Sequence, residues 1–307
     1  MTQKIRGVLS PVITPFTEDL RPHRVRYLRH CRWLIAQGVG LAVFGTNSEA
    51  NSLAVSEKRE LLDFLLDAGL PASRMMPGTG SCSLTDAVEL TRHALARGCE
   101  SVLMLPPFYY KGVADDGLFA YFSEVIQQVA SPTLKIYLYH IPPVSQVPIN
   151  HRLIERLLKA YPGNIAGVKD SSGDWNHTRA LLKDFQPHGF DVFAGSETFL
   201  LQTMQHGGAG CISATANVNP AAILDLFLNW EAPDAGARQA ELDQVRAEFS
   251  KFSMIPALKS AIAVFQKEPA WARVRPPLVP LSGDQARTLE GALRRMHFEL
   301  GAFEEAA

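Results

Sequence analysis

Short apolar, β-branched runs alternate along this chain with longer stretches in which apolar residues recur every three or four positions. The short runs, residues 7–14, 40–45, 74–78, 101–105, 135–140, 165–169, 191–195 and 210–214, read as strands. The longer stretches, among them 56–68 (SEKRELLDFLLDA), 84–96 (LTDAVELTRHALA) and 118–129 (LFAYFSEVIQQV), read as amphipathic helices. Ser56 is placed to cap the first of these, with acidic residues in its first turn. Eight strands alternating with helices predict an α/β fold, a parallel sheet closed into a (β/α)8 TIM barrel. The strands are short and nearly all apolar, as strands covered on both faces are. A doubly wound open sheet is the rival, but no G-x-G-x-x-G opens the first helix and no switch point is visible. Residues 1–225 are assigned to the barrel. Residues 226–307, with helical spacing at 237–252 and 256–265, are assigned to a C-terminal helical extension packed on it, since no Gly/Ser-rich linker sets them apart.

Composition narrows the function more than the fold. The 307 residues are 47% hydrophobic, enough to bury a large core. Thirty basic and 31 acidic residues leave a net charge of -1, which predicts neither nucleic acid nor an anionic membrane as partner. Cys31, Cys82, Cys99 and Cys211 form no C-x-x-C pair and read as reduced, mostly buried thiols of a cytoplasmic protein. The N-terminal segment MTQKIRGVLSPVITPF lacks the long apolar core of a signal peptide, and no apolar run approaches the roughly 20 residues of a membrane helix.

Barrel active sites lie where strands end and βα loops begin. The second strand ends in Gly45-Thr46-Asn47-Ser48-Glu49, whose N–H groups and hydroxyls suit an anion such as a carboxylate, although the run also reads as an ordinary turn. The third ends in the compact turn Gly78-Thr79-Gly80-Ser81. The fourth ends in Pro106-Pro107-Phe108-Tyr109-Tyr110-Lys111, which presents phenols to a site or a partner subunit, or packs aromatically. Tyr139 closes the fifth strand as a proton relay or a buried, hydrogen-bonded phenol. The sixth strand ends in Lys169, and a lysine terminating an apolar strand needs a partner or a role. Lys135, at a strand's start, is the control: it lies on the face associated with stability. One reading of Lys169 is an ion pair with Asp170 or Glu197. The other is a nucleophilic amine, whose neutral form is roughly 1 in 2,500 of ordinary lysines at pH 7 and is favoured by desolvation.

Taken in order, these motifs resemble the dihydrodipicolinate synthase / N-acetylneuraminate lyase family of pyruvate-dependent class I aldolases. The resemblance runs from Gly7-Val8-Leu9-Ser10-Pro11-Val12-Ile13-Thr14-Pro15-Phe16 to Arg275-Pro276-Pro277-Leu278-Val279-Pro280-Leu281. Gly167-Val168-Lys169-Asp170-Ser171-Ser172-Gly173-Asp174 is similar to the family's Schiff-base lysine motif. Tyr139 before Ile141-Pro142 is similar to its catalytic tyrosine, and Tyr109 to the tyrosine lent by a neighbouring subunit. Thr46, Asn47 and Ser48 fall in its pyruvate-carboxylate loop, and residues 210–217 (GCISATAN) resemble its eighth strand. The resemblance implies a dimer of dimers, no metal and no organic cofactor, with a covalent imine on Lys169. Four features depart from the family. Asn47 and Ser48 replace a hydroxyl residue and a glycine in the carboxylate loop. Val144 stands where the synthases place an arginine that clamps the aldehyde's carboxylate. The acidic pair of the sialic acid lyases is matched only in part, by Glu197.

The expected function is therefore a Schiff-base lyase, aldolase or dehydratase, acting on a hydroxylated 2-oxo acid, with pyruvate and an aldehyde as partners. Lys169 attacks the keto carbon, while Tyr139, Thr46 and Tyr109 move protons. Thr46, Asn47 and Ser48 hold the carboxylate, and Gly195, Glu197, Ile212 and Ser213 contact the rest of the substrate. The alternatives are a 4-hydroxy-tetrahydrodipicolinate synthase with an altered aldehyde site and a non-catalytic 2-oxo-acid-binding paralogue, though a sensor needs neither Lys169 nor Tyr139. A metal-dependent aldolase would need clustered ligands, and the nine histidines form no H-x-H or H-x-x-x-H pair. A pyridoxal phosphate enzyme would be coloured; this protein is expected to be colourless.

Overall fold

The computed structural model describes residues 4–303. The elements run β1 (Gly7–Ser10), α1 (Arg24–Ala36), β2 (Gly40–Leu41), α2 (Val55–Asp67), α3 (Leu84–Ala96), β3 (Ser101–Met104) and α4 (Asp115–Val129). They continue with β4 (Lys135–His140), α5 (Pro142–Ser145), α6 (His151–Ala160), β5 (Ile165–Asp170), α7 (Trp175–Phe185), β6 (Asp191–Ala194), α8 (Leu200–Gln205) and β7 (Gly210–Ile212). Four helices close the chain: α9 (Pro220–Leu228), α10 (Ala235–Ser250), α11 (Met254–Phe265) and α12 (Gly283–Arg295). Among the described residues no helix is long and apolar enough to cross a membrane.

Two compact units are present. The first joins the residues up to Gly7 with Pro71–Ile212. Its strands form a continuous parallel ladder from β3 through β4, β5 and β6 to β7. The second unit joins Val8–Leu70 with the residues from Ser213 onward, and contains the parallel pair β1–β2.

Strand alternation organises the first unit. Tyr137 and Tyr139 of β4 share a face with Gly167 and Lys169 of β5 and Phe193 of β6, because register pairs them across the ladder. Tyr137 and Phe193 pack edge to face, 5.7 Å between centroids. Gly167 makes room for this layer: a Cβ there would stand 2.8 Å from the Tyr137 ring and 2.3 Å from the Asp191 carbonyl oxygen. At the strand starts, Tyr137 donates to Asp191 (3.1 Å), which also pairs with Lys4 and Arg6. The polar groups at this end hold the ladder together, in keeping with the stability face of such sheets.

The structure corrects several local expectations. Residues 74–78 do not form a strand. They make one parallel bridge, Gly78 to Leu103, because Pro77 has a carbonyl for Leu103 N–H but no N–H of its own to extend the ladder. The strand expected over 40–45 shortens to Gly40–Leu41, with Phe44 in the left-handed region. Ser56 does not cap α2: Ala54 occupies the cap, and the Glu57 carboxylate reaches back to its N–H (2.9 Å). By contrast, α3 and β4 span the residues predicted, and the last strand stops at Ile212. Cys31, Cys99 and Cys211 are buried and Cys82 is exposed, all as free thiols.

In the second unit Asn217 is a buried junction. Its side chain accepts from Ile13 N–H (3.0 Å) and donates to the Pro11 and Ala214 carbonyls (3.1 and 2.9 Å). These bonds satisfy backbone groups that leave β1 after Pro11 ends its regular pairing. Asn217→Leu would strand all three, and a loss of about 3–5 kcal/mol of unfolding free energy is expected. Urea denaturation of the variant checks this; an unchanged midpoint would contradict the role.

Candidate active site

Lys169 is the largest departure from an apolar interior in the first unit. Its side chain is 2% exposed at the C-terminal end of β5, and its amine donates to the Tyr139 hydroxyl at 3.3 Å. The amine lies 4.3 Å from the centroid of the same ring. Register produces this contact, since Tyr139 and Lys169 are direct partners across β4 and β5. Among the described residues no carboxylate pairs with Lys169, so the ion-pair reading loses its support.

Asp170 cannot serve as that partner because the next residue on a strand faces the other way. Its carboxylate accepts from His177 Nδ1 (3.0 Å), the Thr178 hydroxyl (2.6 Å) and Ser172 N–H (3.0 Å). Burial alone would raise the Asp170 carboxyl, but the bonds from His177 and Thr178 outweigh it and hold it below the usual range. The bond to Asp170 raises His177 against the opposing effect of burial. His140 stacks on His177 with ring centroids 4.4 Å apart, and burial pushes it down to about 4. This cluster was invisible to sequence spacing, because three separate elements supply it.

Nitrogen and oxygen atoms of His140, Asp170 and His177 lie within 4.8 Å of one another, a grouping that a metal would also require. The hydrogen bonds favour a proton network. Ile149 N–H donates to His140 Nδ1 (3.0 Å), so the neutral ring carries its proton on Nε2 and offers no second lone pair.

The loops around the pair are tightly tied. Gly195 N–H donates to the Asp170 carbonyl (2.7 Å), and a Cβ on Gly195 would stand 2.0 Å from Ser171 Oγ. Glu197 is buried in a short turn behind Ser196, whose hydroxyl caps Thr198 N–H. Ile212 is buried at the end of β7. Tyr109 is 73% exposed and meets Tyr110 edge to face, so it projects from the unit rather than filling its interior. Val144 on α5 is 60% exposed and gives that helix an apolar side chain facing solvent. Lys111 joins the two loops by donating to the Phe108 carbonyl and, at 2.8 Å, to that of Ser145.

The second unit holds the other predicted residues. Thr46–Ser48 form a short 3-10 turn, in which Thr46 and Asn47 are half-buried. The first N–H groups of such a turn point out of its N-terminus. The Ser48 hydroxyl is engaged within the turn, accepting from Gly45 N–H (3.1 Å), while Thr14 donates to the Ser48 carbonyl (2.7 Å). Two non-glycine residues in the left-handed region, Phe44 (φ 62) and Glu49 (φ 56), flank the turn, a conformation that costs on the order of 1–2 kcal/mol each. Ser213 is buried, and its hydroxyl accepts from Arg246 (3.3 Å), a residue that sequence reasoning did not single out.

The histidines give a pH prediction. His140 and His30 are both held near 4 by burial, below the roughly 6.5 of an unfolded chain. Between those values the unfolded chain binds more protons, so stability falls as pH drops from about 6.5 to 4, by about 1–3 kcal/mol per ring. His177, raised by Asp170, acts oppositely: its contribution is complete below about 6.5 and is lost as pH rises through its folded value. His140→Asn keeps an acceptor for Ile149 N–H and should flatten the acid limb in urea unfolding measured from pH 4 to 7. Superimposable limbs would rule out a buried neutral His140.

Comparison with known proteins places the chain in a family. The model of the dihydrodipicolinate synthetase family matches residues 4–296. An uncharacterized DapA-like lyase of Chloroflexus aurantiacus is 33% identical over 296 residues, covering 95% of this chain and 97% of that protein. The crystal structure of dihydrodipicolinate synthase from Agrobacterium tumefaciens str. C58 is 32% identical, with a TM-score of 0.87 over 94% of this chain and 99% of that one. YagE, a dihydrodipicolinic acid synthase family protein from E. coli K12 solved in complex with pyruvate, is 26% identical, with a TM-score of 0.87 over 96% of this chain and 100% of that one. The chain thus belongs to the dihydrodipicolinate synthetase family, whose members are lyases and synthases.

Proposed function

We propose that this family lyase cleaves or dehydrates a hydroxylated 2-oxo acid through an imine on Lys169. The observation that carries the reading is the buried Lys169 amine, 3.3 Å from the Tyr139 hydroxyl at the ends of adjacent strands. In this reading the parallel strands belong to a (β/α)8 barrel over residues 1–225, and residues 226–307 are its helical extension.

The chemistry needs only the side chains named. The neutral amine of Lys169 adds to the keto carbon, forming a C–N bond and moving the carbonyl electron pair to oxygen, which takes a proton from Tyr139. The added nitrogen gives up a proton, which Tyr139 relays to the new hydroxyl; that hydroxyl leaves as water while the freed nitrogen lone pair forms the iminium. Cleavage of the bond between C3 and C4 sends its electron pair into the iminium, giving an enamine, while the C4 hydroxyl proton passes to the Tyr139 oxygen. Dehydration follows the same sink: a C3 proton passes to the Tyr139 oxygen to give the enamine, whose electron pair expels the hydroxyl on the next carbon as that hydroxyl takes the proton from Tyr139 and departs as water. After cleavage the enamine takes a proton at C3 from Tyr139 to restore the iminium, and water then hydrolyses the iminium to release the 2-oxo acid and the Lys169 amine, returning a proton to Tyr139. No metal or organic cofactor is required. Thr46 and Asn47 hold the substrate carboxylate; Gly195, Glu197, Ile212 and Ser213 contact its remainder. Tyr109, exposed in the monomer, serves a neighbouring subunit in a cytoplasmic homotetramer.

Val144 favours a hydroxylated 2-oxo acid over aspartate semialdehyde, because an exposed valine offers no clamp for a second carboxylate. The dihydrodipicolinate synthases among the relatives keep the synthase as the second reading. Borohydride reduction with pyruvate is expected to leave a stable adduct on Lys169, located by peptide mapping. Lys169→Met should abolish it, and Tyr139→Phe should slow its formation by about 10²–10³-fold. A protein left unmodified, or modified elsewhere, refutes the mechanism and revives a non-catalytic binding role. A panel of hydroxylated 2-oxo acids should yield pyruvate or a dehydrated oxo acid, whereas efficient condensation of pyruvate with aspartate semialdehyde would establish the synthase instead.

A further inference from the structure

The turn over Gly45–Glu49 is held open at both ends by left-handed residues other than glycine, so something outside it must fix its shape. That support is a second buried lysine. Lys259 of α11 donates to Glu49 Oε1, and both side chains are fully buried. Its amine also donates to the Arg273 carbonyl (2.9 Å) and lies 4.4 Å from the centroid of the Phe16 ring. The other carboxylate oxygen of Glu49 accepts from Arg275 N–H at 2.9 Å. The Arg275 guanidinium lies 4.9 Å from that ring centroid and is held by Glu57 (2.7 and 2.8 Å), Ser52 and Leu20.

A buried ion pair of this kind adds little to stability, because desolvation of both ions offsets their attraction and an apolar pair would do as well. Burial pushes Lys259 down to about 8 even with Glu49 beside it. What the pair does supply is direction. Glu49 N–H donates to the Thr46 carbonyl (3.1 Å), so fixing Glu49 also fixes the peptide between Thr46 and Asn47. We propose that Glu49 and Lys259 are positioning residues that aim the Thr46–Asn47 backbone at the carboxylate of the 2-oxo acid, which makes α11 part of the substrate-binding apparatus. The inference rests on the Schiff-base reading above and extends it to the C-terminal helices.

Two ketones separate this role from a general structural one. Pyruvate carries the carboxylate and acetone lacks it, yet both form a borohydride-reducible imine with a reactive lysine. The variants are Glu49→Asp, which retracts the carboxylate by one methylene, and the double variant Glu49→Gln/Lys259→Met, which removes both charges together. The expected result is a half-saturating pyruvate concentration raised about tenfold or more, with acetone trapping at Lys169 within about twofold of the parent and a thermal midpoint within a few degrees. Unchanged pyruvate saturation in either folded variant overturns the proposal. So does an equal loss for both ketones, which would mark general damage to the site. Failure of both variants to fold would make the pair a stability element and overturn positioning. A parent protein that traps neither ketone defeats the Schiff-base reading itself, and the positioning role with it.

Discussion

Residues paired in register on adjacent parallel strands stand side by side, and a strand's successive side chains turn to opposite faces. Both rules meet at β4 and β5. Register brings Tyr139 beside Lys169, and alternation sends Asp170 away from them to His177 and Thr178. Though adjacent in sequence, Lys169 and Asp170 lie in separate environments on this strand. The amine faces a phenol within an apolar layer, while the carboxylate is occupied by three donors on the other side. A register shift of one residue would exchange these environments and leave a charged group facing the aromatic layer.

The surroundings make the shift costly. Gly167 admits the Tyr137 ring, Gly195 closes against Ser171 and the Asp170 carbonyl, and neither position has room for a Cβ. The polar contacts at the strand starts and the Lys169–Tyr139 contact at the strand ends are therefore two ends of one packed layer. The turn over Gly45–Glu49 in the other unit has a different logic. Its backbone is unfavourable by itself, and its Glu49 carboxylate pairs with an amine buried 210 positions away in the sequence.

Much of this was legible from side-chain chemistry at strand ends. Lys169 stood out because an apolar strand ended in an amine, and Lys135 provided the contrast: it lies at a strand start and donates to the Gly163 carbonyl. The same reasoning applied to helices would have found Lys259, a single amine within MIPALKSAIAVF, and then asked which carboxylate it meets. Residues 74–78 misled because their apolar character matches a strand while Pro77 denies the ladder a donor. The His140–Asp170–His177 cluster and the Asn217 junction carry no local signal. Each is assembled from segments that meet only after folding, and a lone histidine or asparagine has no periodicity to betray it.

The distance along the chain between Glu49 and its counterion has a consequence for biosynthesis. The two are separated by 210 positions. At a translation rate of roughly 5–20 residues per second, the turn waits roughly 10–40 seconds on the ribosome before Lys259 has been synthesised. In the last part of that interval a nascent chain already contains Lys169 and Tyr139 but lacks the cation that pairs with Glu49. Closure of the Glu49–Lys259 pair is thereby deferred to the final stage of synthesis, and a polypeptide released early, before α11, carries Glu49 without its counterion.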